Sequence, residues 1–315
     1  MAISGDVRGD RERANHDPTR RAAPALFPDA RPRYGRARRG SRTGGRRPRR
    51  RRAPLLALLL VSLGLISALA PVLAPYDPMA VVAPPLLSPS PAHWLGTDHL
   101  GRDVLSRLLF GGRWTLGASL LAAAVSALPG VLLGLIGGYF ERPAGVLIGR
   151  GVDLLLAFPR LLLALGIVAL SGSGLVNVAL AAGIAGIPVV VRVLRSAVLT
   201  QARQVYIEAS RALGMGDAGI IRRHIWPNVA GTALVVITLQ MGWAILDVSA
   251  LSFLGLGPPL GTPEWGTMLN EARISLRDAP WAALAPGIAL ALSVLSINML
   301  GDALRDMMDP HLVQS

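Results

Sequence analysis

The sequence predicts an all-α polytopic membrane protein with six transmembrane helices, and three observations predict it. Of its 315 residues 52% are hydrophobic and the mean hydropathy is +0.48, too apolar for an ordinary soluble domain. Six apolar segments each approach the roughly 20 residues that a helix needs to cross hydrocarbon. They cover about 54–74, 115–139, 154–171, 175–192, 229–252 and 281–301. Finally, arginine is unevenly shared between the loops that join them, as orientation in a bilayer requires.

The first 53 residues hold 17 arginines against 5 acidic residues, a net of +12 of the chain's +13. Such a tail, without apolar periodicity, is expected to be disordered and to anchor topology beside an anionic inner leaflet. RNA binding is the competing reading of its charge. The first span, "APLLALLLVSLGLISALAPVLAP", ends in a sequence resembling a signal-peptidase site. Its apolar run is longer than a signal core, so an uncleaved helix is expected.

With the tail cytoplasmic, the inside loops are 140–153 and 193–228, together with the C-terminus. The 193–228 loop has Arg195, Arg203, Arg211, Arg222 and Arg223 against Glu208 and Asp217, whereas outside segment 253–280 is balanced. Segment 76–114 departs from the rule, since Arg102, Arg107 and Arg113 fall outside. The expected layout is a tail (1–53), a first transmembrane helix (54–74), an exterior segment (75–114), a five-helix core (115–302) and a cytoplasmic C-terminus (303–315).

Within the core, Gly130, Gly134 and Gly138 recur every fourth residue, a pattern that lets two helices approach closely. Pro129, Pro188 and Pro286 predict kinks. "SGSG" at 171–174 reads as a short exterior turn. Arg160 is expected to snorkel from a cytoplasmic helix end. Asp247, in "AILDVSALSF", is expected to face the bundle interior or a wet cavity, either as a pathway or gate contact or as a structural hydrogen-bonding group.

Several chemistries are excluded. The 32 basic residues are all arginine, so a P-loop, which needs lysine, is absent and this chain should not hydrolyse ATP by that route. None of the five histidines lies in an apolar span, and no HExxH or carboxylate–histidine cluster offers a metal site. No catalytic centre, cofactor or metal is expected.

The loop "YIEASRALGMGDAGIIRRHIWPNV" (206–229) carries the strongest functional signal. "QVYIEASRAL" favours a short helix, Gly214 is placed to end it in a left-handed conformation, and Asp217 can cap a second helix. Pro227 marks the passage into the next span. The result is a helix–turn–helix hairpin that is too polar for the bilayer, lacks base-reading side chains, and suits the passing of force from a partner. His224 reads as a polar interface residue.

That loop resembles the EAA signature of ABC-importer permeases, with Glu208, Ala209, Ser210, Gly214, His224, Trp226 and Pro227 in the expected places. Ser210 replaces the second alanine and Trp226 the usual leucine. "HWLGTDHLGRDVLSRLLFGGRWTL" (93–116), "ALSFLGLGPPLGTPEWGTML" (250–269), "PWAALAPGIAL" and "NMLGDALRDMMDP" resemble the dipeptide/oligopeptide/nickel branch, specifically its second permease subunit.

The resemblance implies a fold of the ABC-importer permease (MetI-like) type in a bacterial inner or plasma membrane. It implies a sibling permease subunit, two ATP-binding subunits and an exterior solute-binding protein. Glu208, Ala209, Ser210, Gly214 and Asp217 would couple to an ATPase, with Glu208 favoured for partner contact over local capping. His224, Trp226 and Pro227 would form the hinge into span five. Di- or oligopeptides are the expected cargo, with nickel chelates or other small solutes as alternatives. A proton-coupled secondary carrier using Asp247 is the competing mechanism.

Overall fold

The computed structural model describes residues 61–308. The basic tail, the start of the first span and the last residues of the C-terminal segment lie outside the described residues. Residues 61–68 (α1) are helical, followed by a short turn of helix, α2 (Ala70–Leu73), with proline in its first turn. An irregular stretch then leads into α3 (Val104–Tyr139), capped by the Asp103 carboxylate, which accepts from Ser106 N. This helix starts well before the apolar run at 115, because Asp103 supplies the cap that the first free N–H groups need.

Among the described residues four helices are long and apolar enough to cross a membrane: α3, α6 (Leu175–Ala202), the run Asp217–Phe253 ending in α9 (Trp226–Phe253), and α11 (Pro280–Met308). A bent pair of helices is the fifth candidate among the described residues. Helices α4 (Ala144–Leu156) and α5 (Arg160–Ser171) pass the same test only together and meet at 91°. The bend falls at "AFPR", where Pro159 has no N–H to continue α4. Pro129, Pro188 and Pro286, the positions expected to kink, each lie inside a single helix. Among the described residues the one β pairing is an isolated bridge, Thr97 with Asp103.

The glycine stripe does what its spacing predicts. A Cβ on Gly130 would lie 2.6 Å from Val190 Cβ, one on Gly134 2.7 Å from Leu194 Cβ, and one on Gly138 2.6 Å from Val198 Cβ. Each glycine of α3 thus receives one side chain from a ridge on α6, every fourth residue against every fourth. Both residue series rise together, so α3 and α6 run parallel, which requires the chain to cross back between them through α4 and α5.

Buried side chains form two main layers. One, at the end where α5 and α6 are joined, gathers small residues of α3, α5, α6 and α9, including Ala122, Ala164, Ala182 and Val248. The other, at the opposite end, gathers Val190, Leu194, Val198, Val229 and Val236 with Ile207, Ile220 and Ile225. The last three belong to the 205–225 hairpin, so the hairpin shares the core of the bundle.

Candidate functional site

The hairpin consists of α7 (Val205–Ala212), a turn, α8 (Asp217–Ile220) and one wide π turn (Ile221–Ile225) leading into α9. Gly214 has φ +82°, Met215 N donates to Ser210 O (3.1 Å), and Gly214 N donates to Arg211 O (3.0 Å). This is the doubly bonded C-terminal cap that calls for a left-handed residue, and glycine enters it without a Cβ penalty. Gly216 takes the capping position of α8. Asp217 is its first residue, and instead of capping backbone it accepts from Tyr139 Oη at the end of α3 (2.5 Å).

Arg211 sits over the Tyr139 ring, 5.2 Å from its centroid. The Tyr139 hydroxyl beside it raises the Arg211 pKa further above its already high value, so the cation is permanent. Tyr139, Arg211 and Asp217 therefore tie both arms of the hairpin to the end of α3. From below, Ile207, Ile220 and Ile225, all fully buried, seat it in the hydrophobic core. Burying each isoleucine contributes roughly 1.5–3 kcal/mol.

The outer surface of the hairpin is open and mixes polar with aliphatic side chains. Glu208, Ala209, Gly214 and Asp217 are exposed and Ser210 is half-buried, its hydroxyl donating to Tyr206 O (2.7 Å). The Glu208 carboxylate makes no hydrogen bond or ion pair among the described residues. Leu213 at the tip is 89% exposed and Val205 79%. His224 packs near the Tyr206 ring, with centroids 5.9 Å apart, and Trp226 and Pro227 are exposed just past the π turn. Pro227 cannot donate to a carbonyl one turn back, and the helix widens at 221–225 immediately before it.

A second polar constellation lies inside the bundle. Arg160 Nε is 2.6 Å from Asp247 Oδ2, yet its N–H does not point along that line, so this is a close ion contact without an aligned hydrogen bond. Arg160 Nη1 donates to Gln240 Oε1 (3.0 Å), and Gln240 Nε2 donates to Gly186 O (2.9 Å). The snorkelling expected of Arg160 does not occur. The break at Pro159 places Arg160 at the start of α5, beside α6 and α9, where Asp247 is the available counter-charge. Sequence reading missed this pair because 154–171 looks like one continuous span. The Phe-Pro-Arg triplet was the available signal.

A third network joins the segment before α3 and the first turns of α3 to the region after α9, including α10 (Trp265–Ala272). Arg102 donates to Asp98 Oδ2 (2.7 Å) and Glu271 Oε2 (2.7 Å), and Arg107 donates to Glu271 Oε2 (2.9 Å) and Gly261 O (3.0 Å). Glu271 belongs to α10, whose cap Glu264 accepts from Gly266 N, Thr267 N and Thr115 Oγ1. Two of the three arginines that broke the charge rule are therefore buried and neutralised. Asp98, His99 and Glu271 come close enough together to suggest a cation site. The two guanidiniums already occupy those carboxylates and oppose a further positive charge, so the cluster is an ion-pair clasp.

Residues 130–314 match the family described as binding-protein-dependent transport system inner membrane component. The di/tripeptide transport system permease protein DppC of Pseudomonas aeruginosa is 45% identical over 267 residues, covering 82% of this chain and 86% of that one. The glutathione transport system permease protein GsiD of Pectobacterium atrosepticum is 43% identical over 262 residues, covering 82% and 86%. Among solved structures, a chain of the inward-facing MetNI methionine ABC transporter aligns with TM-score 0.55 at 18% identity. It covers 64% of this chain and 96% of its own, and that likeness concerns the fold. The chain belongs to the inner-membrane permease family of binding-protein-dependent ABC importers. It is a multi-pass transport subunit, not an enzyme, and membership implies association with ATP-binding and substrate-binding components.

Proposed function

We propose that this chain is one of two permease subunits of an ATP-driven importer of di- or oligopeptides, and that the 205–225 hairpin is the handle through which an ATPase moves it. The observation that carries this reading is the two-sided character of the hairpin. Its inner side is locked to the bundle by three buried isoleucines and the Tyr139–Asp217 bond, while its outer side presents Glu208, Val205 and Leu213 to solvent.

A rigid attachment transmits force where a floppy loop would absorb it. The turn at Gly214 fixes the angle between α7 and α8, and the helical run from Asp217 to Phe253 carries displacement along the bundle. Motion of a paired ATPase would then rock the helices between two access states. In this reading the hairpin and both chain termini are cytoplasmic, and the clasp of Asp98, Arg102, Arg107 and Glu271 lies on the exterior side, where a solute-loaded binding protein docks. Peptide cargo is supported by the two relatives named for di/tripeptide and glutathione transport.

The test is reconstitution in proteoliposomes with the sibling permease, the ATPase subunits and the binding protein. Peptide should accumulate only when ATP and the ATPase are present. Accumulation by this chain alone, driven by a proton gradient, contradicts the proposal and favours a secondary carrier.

A further inference from the structure

The Arg160–Asp247 pair lies deep in the bundle. Gln240 ties Arg160 to the carbonyl of Gly186, which is about 16 Å along α6 from its start at Leu175. Charges at such depth pair with one another and face a protein interior or a wet cavity, not lipid. The Arg160 side chain keeps 21% of its surface open and that of Asp247 9%, so the pair borders an open face.

The pair is incomplete as a piece of structure. Arginine offers five N–H donors in a planar fork, and Arg160 aligns one of them, toward Gln240. Its contact with Asp247, Nε to Oδ2 at 2.6 Å, is a close ion pair without an aligned hydrogen bond. The guanidinium also lies 5.9 Å from the centre of the Trp243 ring, which is 56% exposed. Gly186 contributes by having no side chain, since a Cβ there would lie 2.7 Å from Gln240 Nε2 and 3.2 Å from Arg160 Nη2. A cation, a nearby carboxylate, an exposed aromatic face and an amide held by a backbone carbonyl are groups of the kinds that can engage a small polar ligand.

We infer that Arg160 and Asp247 together form a transit site for a zwitterionic solute, with Arg160 taking its α-carboxylate and Asp247 its α-ammonium. This deepens the peptide-importer reading and rests on it. The planar fork matches a carboxylate in a way that an ammonium does not. When the path is empty, Asp247 occupies the place of the incoming carboxylate and no lone charge is buried. When a zwitterion arrives, one ion pair is exchanged for two, so the layer stays neutral throughout. A solute lacking one charged terminus would leave one member of the pair uncompensated, and a buried charge without its partner is strongly disfavoured.

The experiment compares uptake of dialanine, dialanine amide and N-acetyl-dialanine by the full reconstituted complex, at matched occupancy of the binding protein. Wild type should favour the free dipeptide over both blocked forms. The double variant Arg160→Gln, Asp247→Asn retains polar side chains and leaves no lone charge. Its preference should fall about tenfold or more, the scale of one charge-assisted hydrogen bond. Arg160→Lys keeps the ion pair and so the assembly, loses the fork, and should show a smaller loss of preference against the amide alone. It decides the matter if the double variant does not assemble. A wild-type preference near one, or a preference unchanged in whichever variants assemble, overturns the inference and leaves the pair as a pin between α5 and α9. A wild-type complex that accumulates no dipeptide at all overturns the peptide reading beneath it.

Discussion

Replacing Ile220 by alanine tests whether the hairpin must be rigidly seated. Ile220 is fully buried in a layer shared with Ile207, Ile225, Val198 and Val229. Truncating such an isoleucine costs about 2–5 kcal/mol, transfer and cavity together. If even about 2 kcal/mol of that falls on the attachment of the hairpin, the detached population rises about 30-fold. Hydrogen exchange on the assembled complex should therefore accelerate across Val205–Ile225, while uptake per ATP hydrolysed falls and hydrolysis itself continues. Leu213→Ala is the control, because Leu213 is 89% exposed and removing it leaves the seat intact. It should leave exchange unchanged and weaken ATPase docking. Faster exchange in Ile220→Ala with undiminished uptake per ATP would refute the idea that a rigid seat transmits the stroke.

Other perturbations have equally definite outcomes. A methyl placed on Gly214 would meet nothing within 4 Å, so Gly214→Ala should cost only the backbone penalty of its φ of +82°, about 1–2 kcal/mol, and retain uptake. Gly214→Pro cannot adopt that φ and loses the N–H to Arg211 O, so uptake should cease while ATP hydrolysis persists. Gly134→Ala forces a contact of 2.7 Å onto Leu194 Cβ and should lower stability by about 1–3 kcal/mol in thermal unfolding. Gly117→Ala, in the same helix but facing open space, should be neutral or stabilising. Glu271→Gln removes the carboxylate shared by Arg102 and Arg107, and uncompensated burial should cost about 3–5 kcal/mol, read as a lower unfolding midpoint in detergent.

The legible parts of this protein are those governed by local rules. The glycine stripe at 130, 134 and 138 announced a close helix contact, because helical periodicity puts those residues on one face. The "ALGMGD" turn announced Gly214 in a left-handed cap, because few other residues tolerate it. The hairpin as a whole could be located by its polarity between two apolar spans, although its outer side also exposes Val205 and Leu213. What sequence could not give is pairing across distance. Asp247 was visible as an expensive charge, but its partner Arg160 was assigned to a helix end, since the 91° break at Pro159 is set by packing of α4 and α5 as well as by the proline itself. Arg102 and Arg107 looked like exceptions to the charge rule until Asp98 and Glu271, the latter more than 160 positions away, closed around them. Asp217 was expected to cap its own helix, and the hydroxyl of Tyr139 from another helix claimed it.

The most direct measurement uses the absence of cysteine from this chain, which makes single-cysteine labelling unambiguous. Leu213→Cys in sealed, oriented vesicles should react with a membrane-impermeant maleimide added to the cytoplasmic side. It should be shielded when the ATPase subunits are bound, with the protection changing between nucleotide-free and ATP-bound states. Labelling from the exterior side, or a reaction rate indifferent to the ATPase, would contradict the assignment of the hairpin as the handle.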